Sequence, residues 1–213
     1  MMGPMSDEKS QGGGPAATAG SPVSVVVLAA GASRRMGPEN KLLSKIGGPP
    51  LVRLAVQAAV DSAANEVIVV TGHEAETIRA ALTGLEVRFV HNPDYDNGLS
   101  TSLGAGIEAV GADHSAAVVV LADMPRVTTG IIDALIESFH AEGGTAICRP
   151  VSGGKPGNPV LWPRAFFPEI NKIQGDTGAR ALLKIYSDKV LGVDVGGDGI
   201  FIDIDTPEDL NSV

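Results

Sequence analysis

The chain has 213 residues, of which 44% are hydrophobic and 4% aromatic, and this length and composition suit one soluble α/β domain with buried parallel strands. Acidic residues outnumber basic residues by 25 to 16, and the formal net charge of -9 argues against sequence-independent binding of nucleic acid. The single cysteine, Cys148, excludes an internal disulfide framework and cannot by itself supply a zinc cluster.

The first 21 residues are rich in glycine, serine and proline and show no hydrophobic periodicity. This composition predicts a disordered tail over residues 1–21, followed by a single domain over residues 22–213. The N-terminus has no apolar core of signal-peptide length, and no run of about 18 apolar residues occurs in the chain. The sequence therefore predicts a cytoplasmic protein without membrane or nucleic-acid partners.

Short apolar runs alternate with helical patterns from residue 23 onward. Strands are predicted at 23–30, 66–71, 87–90, 116–122 and 145–149, and helices at 51–62, 75–82, 102–110 and 129–141. Such alternation is typical of βαβ units. The predicted fold class is therefore α/β, a Rossmann-like, doubly wound and mostly parallel sheet with helices on both faces.

The regular alternation weakens after the fifth predicted strand. The glycine-rich stretch "PVSGGKPGNPVLW" (150–162) predicts a hairpin or a loop insertion. A helix at 178–186, strands near 190–195 and 200–204, and a last helix beginning at Thr206 are predicted for the C-terminal part.

The segment after the first strand, "LAAGASRRMGPENK" (28–41), combines small residues with cations. The spacing from Gly31 to Gly37 is one residue too long for a P-loop, and no dinucleotide-binding glycine fingerprint can be placed on it. Small residues let a ligand approach the backbone, and Ser33, Arg34, Arg35 and Lys41 would bring donors and positive charge to it. In so acidic a chain this pattern indicates an anion site, with a solvated basic loop as the alternative.

Carboxylates follow two of the later predicted strands. Asp123 comes directly after "VVVLA", and Asp203 and Asp205 lie at the end of the last predicted strand. Magnesium binds a few carboxylates together with phosphate oxygens, so Asp123 and one of the other two form a candidate metal site. The alternatives are a turn or capping role for Asp123 and, for the later segment, an ordinary helix start at Thr206.

Five motifs together resemble those of the molybdenum cofactor nucleotidyltransferases, a MobA-like branch of the nucleotidyltransferase superfamily. They are "LAAGASRRMGPENKLL", "LADMP", "GKPGNPVLW", "GDTGAR" and "DIDTPEDL". The resemblance implies a fold like that of the nucleotide-diphospho-sugar transferases. It also implies transfer of a nucleoside monophosphate from a nucleoside triphosphate to a second phosphate, with Mg²⁺ as cofactor and release of pyrophosphate.

The resemblance assigns site residues by position in these motifs. Arg35, Lys41 and Asp123 are the implied catalytic residues: the two cations hold the triphosphate and Asp123 is the main magnesium ligand. The motif favours Asp205 as the second ligand and leaves Asp203 as the alternative. The implied nucleotide-binding residues are Leu28, Ala29, Ala30, Gly31, Ser33, Arg35, Lys41, Thr71, Gly72, Ser102 and Asp123. Gly98 is implied to border the nucleotide or the pterin.

The same resemblance carries expectations about base and acceptor. Ala30 favours CTP, because GTP-using relatives have glycine there and a methyl group narrows the room for a purine. The implied acceptor-binding residues are Lys155, Gly157, Asn158 and Pro159. Relatives commonly have histidine at the position of Asn158, which leaves the acceptor open. Lys155 could instead be a solvated lysine, and Arg180 could bind an anion or form an ion pair.

The expected function is therefore transfer of CMP from CTP to the phosphate of molybdopterin or molybdenum cofactor. A molybdoenzyme or its chaperone is an implied further partner. A transferase that uses GTP or another acceptor, and a carrier of molybdenum cofactor without turnover, are the alternatives. Cys148 is expected to belong to the core rather than to act as a nucleophile.

Overall fold

A computed structural model describes residues 20–32, 40–175, 178–206 and 208–212. Four parallel strands form one half of its sheet, in the spatial order β3-β2-β1-β4. They are β1 (Val23–Ala29), β2 (Glu66–Thr71), β3 (Arg88–His91) and β4 (Ala116–Leu121). The central strands β1 and β4 are valine-rich because both faces of a parallel sheet are covered.

The other half of the sheet contains the insertion that the sequence indicated. Its strands are β5 (Ile147–Ser152), β6 (Lys155–Pro156), β7 (Val160–Pro163) and β8 (Val190–Asp194). β5 and β6 form a hairpin, and β7 lies antiparallel between β4 and β5. β8 runs parallel to β5. The glycine-rich stretch is thus a hairpin followed by a strand inside the sheet.

Helices cover both faces of the sheet. α1 (Leu51–Val60), α2 (Ala75–Ala81) and α4 (Thr129–Ala141) contribute to one buried apolar cluster. α3 (Leu99–Ala109), α5 (Phe167–Ile170) and α6 (Arg180–Ile185) contribute to the other. Alternate residues of β1 enter opposite clusters, as the pleat requires. The predicted α/β fold is confirmed.

Helix α3 begins at Leu99, three residues before the predicted start. A short 3-10 turn (Tyr95–Asn97) and Gly98, with φ of 106°, lead into it. A positive φ of this kind is readily adopted only by glycine, so Gly98 sets the entry of the helix. A Cβ at Gly106 would collide with Val26, so glycine also lets α3 pack closely on the sheet.

The strand predicted at 200–204 is wrong. A 3-10 turn (Gly199–Phe201) is followed by an extended, unpaired segment. The carbonyl of Ile200 accepts from the N–H of Asn158, and the N–H of Ile204 donates to the carbonyl of Asp123 at 2.9 Å. These hydrogen bonds join the segment to neighbouring loops and not to an adjacent strand. The segment therefore does not become a strand of the sheet.

The predicted last helix is a short 3-10 helix (Asp209–Ser212). Asp209 Oδ2 accepts from the N–H groups of Asp205 and Thr206, at 3.0 and 2.8 Å, and so ties the turn together. Within the described residues no helix is long and apolar enough to cross a membrane.

Candidate active site

Lys41 is positioned by the 3-10 turn Lys41–Leu43. The side chain of Asn40 accepts from the N–H of Leu42 at 3.1 Å, and Leu42 itself is buried in the core. Capping at the start and burial in the middle hold the turn against the sheet. Lys41 is thereby placed beside the carboxyl ends of β1 and β4.

Two carboxylates from distant parts of the chain meet at Lys41. Its Nζ donates to Asp123 Oδ2 at 2.8 Å and to Asp205 Oδ1 at 2.9 Å. The hydrogen bond from the Ile204 N–H to the carbonyl of Asp123 holds the C-terminal segment next to β4. The side chain of Lys41 is 13% exposed, so these are partly desolvated, charge-assisted hydrogen bonds.

The charge state of Lys41 follows from these neighbours. Burial lowers the pKa of its ammonium, but the carboxylates of Asp123 and Asp205 outweigh burial and hold the pKa above its ordinary value of 10.5. Lys41 is therefore a cation at neutral pH, beside two carboxylates.

The Lys41–Asp123–Asp205 cluster lies in a cleft of about 510 Å³, called here the first cleft. Its other walls come from the end of β1, the loop after β3 and the start of α3. The lining includes Leu28, Ala30, Gly31, Tyr95, Gly98, Leu99 and Ser102. A concave, partly apolar site with a charged cluster at the ends of parallel strands is typical of a ligand site in open α/β sheets.

A second cleft of about 570 Å³ adjoins the first and shares Leu28, Leu99 and Leu121 with it. The polar residues in its lining are Arg149, Asn158, Arg180 and Asp203. Asp203 therefore lies in the second cleft, whereas Asp205 lies with Asp123 in the first. Of the two candidates for the second metal ligand, Asp205 is the one that meets Asp123 at Lys41.

The first cleft is suited to a divalent cation. Asp123 Oδ1 is buried and has no hydrogen-bond partner among the described residues, while Asp205 is 39% exposed. No group of three His, Cys, Asp or Glu side chains within the described ranges forms an all-protein metal site. Carboxylate oxygens are hard ligands that suit Mg²⁺, which takes its remaining ligands from phosphates and water. The residues present therefore fit such an ion bound together with a triphosphate.

Several predicted nucleotide-binding residues do not line the first cleft. Ala29 packs into the core on the opposite face of β1. Thr71 is buried at the end of β2, where its hydroxyl donates to the carbonyl of Val90 at 3.4 Å. Gly72 also lies outside the lining, and a Cβ there would come within 2.6 Å of the Tyr95 side chain. The absence of a side chain at Gly72 therefore leaves room for Tyr95, which does line the cleft.

The predicted acceptor-binding residues divide in the same way. Gly157 and Asn158 line the second cleft. Pro159 is buried, and Lys155 is exposed on the β5–β6 hairpin, and neither is in the lining. Ser33 and Arg35 lie outside the described residues, as do Arg34 and Asp176.

Sequence reasoning missed Tyr95 in the first cleft and Arg149 in the second. Tyr95 lies in the stretch "NPDYDNGLS" that already singled out Gly98, so an aromatic residue in that loop was the available signal. No comparable signal existed for Arg149, which lies within a buried strand. Cys148 next to it belongs to the core, and burial raises the pKa of its thiol to about 11, as expected for a residue that is not a nucleophile.

Comparison with known proteins identifies related chains. A family model described as the MobA-like NTP transferase domain matches residues 25–190. Purine catabolism protein PucB of Bacillus subtilis (strain 168) is 31% identical over 209 residues, with coverage of 88% of this chain and 94% of that protein. Molybdenum cofactor cytidylyltransferase of Escherichia coli (strain K12) is 28% identical over 194 residues, with coverage of 89% and 94%.

A relative named for another base also matches. The probable molybdenum cofactor guanylyltransferase of Haloferax mediterranei is 32% identical over 128 residues, which cover 60% of this chain and 59% of that protein. Cytidylyl- and guanylyltransferases are thus both found among the relatives, and identity alone does not separate them.

Solved structures share the fold. The Mycobacterium sp. strain JC1 homologue of Mycobacterium tuberculosis rv0371c superposes with a TM-score of 0.80 at 27% identity, covering 89% of this chain and 93% of that one. A complex of Rv0371C with manganese superposes with a TM-score of 0.74 at 27% identity, covering 90% and 100%.

Proposed function

This chain is a nucleotidyltransferase that belongs to the MobA-like NTP transferase family, and we propose that it transfers CMP from CTP. The acceptor is the phosphate of molybdopterin or of molybdenum cofactor, and the second product is pyrophosphate. The observation that carries the proposal is the contact of Lys41 with both Asp123 and Asp205 in a cleft lined by Ala30 and Gly31.

The reaction needs placement and charge neutralisation more than covalent chemistry by the protein. An oxygen of the acceptor phosphate attacks the α-phosphorus in line, and a new P–O bond forms. The bond from the α-phosphorus to the bridging oxygen breaks, and pyrophosphate leaves with the electron pair. Lys41 supplies positive charge beside the triphosphate, a role in which we also place Arg35.

Asp123 and Asp205 are the residues that would hold the divalent cation, which we propose to be Mg²⁺. When bound, the ion neutralises charge that builds on the phosphate oxygens. Asp123 Oδ1 is buried and accepts no hydrogen bond from the part of the chain that the structure describes. This supports the assignment, since a buried carboxylate oxygen without a hydrogen bond is costly unless a ligand binds it. Lys41 keeps the two carboxylates close together through its hydrogen bonds to both.

Pyrophosphate release tests the proposed function. The chain is mixed with Mg²⁺ and either CTP, GTP or ATP, with and without molybdopterin, and pyrophosphate is followed over time. The expected result is release from CTP that depends on molybdopterin. Release from GTP instead would overturn the choice of base. Absence of release from all three nucleotides with the pterin present would favour a carrier and would sink the proposal.

Replacing Ala30 by glycine is expected to shift the balance of bases toward GTP. Ala30 is buried and lines the first cleft, so removing its methyl group enlarges the wall where we place the base. The ratio of kcat/KM for CTP to that for GTP should fall by about 10-fold, the usual scale for one methyl group in a binding pocket. The measurement is steady-state pyrophosphate release with each nucleotide.

The matched control is Ala29→Gly, which makes the same chemical change one residue earlier. The methyl group of Ala29 packs into the opposite core cluster, so this variant should lose stability without changing the ratio. An unchanged ratio in Ala30→Gly, or equal changes in both variants, would place base selectivity elsewhere.

A further inference from the structure

Two arginines line the second cleft, and neither has a carboxylate partner among the residues that the structure describes. Arg149 is in β5 and Arg180 begins α6. Arg149 Nε donates to the carbonyl of Gly157 at 2.9 Å, which anchors the side chain at the cleft wall. Within the described residues, no ion pair involves either guanidinium, although Asp203 also lines the cleft.

The two guanidinium groups are near enough to affect each other. Burial lowers the pKa of Arg149, and the positive charge of Arg180 lowers it further. A guanidinium remains protonated at neutral pH, so both positive charges persist in the lining of the same cleft. In a chain with a net charge of -9, two cations that share one concave site and have no ion pair within the described ranges indicate a place for an anion.

We propose that Arg149 and Arg180 form a binding site for the phosphate monoester of the acceptor. The inference rests on the proposed function and deepens it, since it assigns the acceptor's phosphate to two named side chains. Guanidinium groups bind phosphate oxygens through paired N–H donors, a geometry that a lysine cannot reproduce. The resemblance included Lys155, which lies exposed on the hairpin, among the acceptor-binding residues and left Arg180 open between an anion and an ion pair. The proposed site takes the first alternative for Arg180 and adds Arg149.

The position of this site suits transfer between the two clefts. Gly178 precedes Arg180 by two residues, and a Cβ on Gly178 would lie 3.2 Å from Leu99 Cδ2. Leu99 lines both clefts, so Arg180 lies close to their shared wall. An acceptor phosphate held there is next to the cleft in which we place the triphosphate. Both substrates are anions and repel each other. The positive charges of Arg149 and Arg180 therefore also lower the electrostatic free energy of bringing the two substrates together.

Binding of phenyl phosphate tests the site without any nucleotide. This probe carries a phosphate monoester on a flat ring, and phenol serves as the probe without phosphate. Isothermal titration of the full chain should show binding of phenyl phosphate and much weaker binding of phenol. Arg180→Gln and Arg149→Gln should each weaken phenyl phosphate binding by about 10-fold or more, the scale of a lost charge-assisted hydrogen bond.

The matched control is Lys184→Gln, which removes one positive charge from the same helix as Arg180 at an exposed position outside the cleft. Its affinity should stay within about 2-fold of the wild type if the contact is local, because screening by salt weakens distant charges. Arg180 is exposed, so its variant should fold even if Arg149→Gln disturbs the hairpin.

The outcomes separate this inference from the proposed function. If the wild type does not bind phenyl phosphate, or if both arginine variants bind it like the wild type, the site is wrong. An equal loss in Lys155→Gln would move the site to the hairpin and also overturn it. If no pyrophosphate is released from CTP with molybdopterin while phenyl phosphate still binds and the binding depends on the two arginines, the proposed function is wrong and the anion site is supported.

Discussion

Replacing Asp123 by asparagine is expected to lower kcat/KM for nucleotidyl transfer by about 10³-fold, or about 4 kcal/mol of transition-state stabilisation. Asparagine keeps the shape of the side chain but removes the charge that would hold a divalent cation. The buried Oδ1 of Asp123 has no partner among the described residues. The substitution should therefore weaken ligand binding more than it weakens contacts within the protein. The measurement is pyrophosphate release at varied Mg²⁺ concentration.

The fold should survive this change. Lys41 keeps its hydrogen bond to Asp205 at 2.9 Å, and the backbone carbonyl of Asp123 still accepts from Ile204. We expect a loss of stability of about 1–2 kcal/mol, the scale of one weakened charged hydrogen bond. Thermal unfolding and the binding of Mn²⁺ followed by electron paramagnetic resonance separate folding from metal binding.

The comparison variant for this prediction is Asp203→Asn. Asp203 lies in the second cleft. The Asp203→Asn variant should therefore bind Mn²⁺ as well as the wild type does, and it should lose far less turnover than Asp123→Asn. Equal loss of Mn²⁺ binding in both variants would make Asp203 a metal ligand and contradict the arrangement around Lys41.

Replacing Lys41 by methionine is expected to lower kcat/KM by about 10²-fold, or about 2.7 kcal/mol. Methionine approximates the length of the lysine stem but carries no charge, so the triphosphate loses a cation and the two carboxylates lose their shared donor. The ammonium of Lys41 then no longer offsets the repulsion between the carboxylates of Asp123 and Asp205. Stability should fall by about 1–3 kcal/mol, the cost of leaving a partly buried charged group without its partner.

The response of the unfolding temperature to a divalent cation shows whether Lys41→Met loses activity through the site or through damage to the fold. Without nucleotide, Mg²⁺ should raise the unfolding temperature of Lys41→Met more than that of the wild type, because no ammonium competes for the two carboxylates. The matched control is Lys45→Met, the same substitution at an exposed residue outside the first cleft. If Lys41→Met and Lys45→Met have equal turnover, Lys41 is not part of the reaction site.

Much of the fold could be predicted because hydrophobic patterning is local. The valine-rich runs of β1, β2 and β4 and the helices between them are defined by residues a few positions apart, and the structure reproduces them within a few residues. The false strand at 200–204 has the composition of a strand, yet its hydrogen bonds go to Asp123 and Asn158. The composition of a segment indicates its β-propensity, but it does not indicate which neighbouring segments are available for hydrogen bonding.

Local sequence patterns were enough to predict a mostly parallel sheet, the family resemblance and the position of Asp123 at the end of a strand. They could not separate Asp203 from Asp205, because residues two apart in an extended segment share a face. Tertiary structure decided between them: the bond from Ile204 to Asp123 places Asp205 at Lys41, 164 residues away in the chain. Likewise, Arg149 and Arg180 come together only because the sheet and α6 enclose one cleft. Charges so far apart in sequence affect each other only when the fold brings them close in space, since the Coulomb interaction falls with distance and is screened by water.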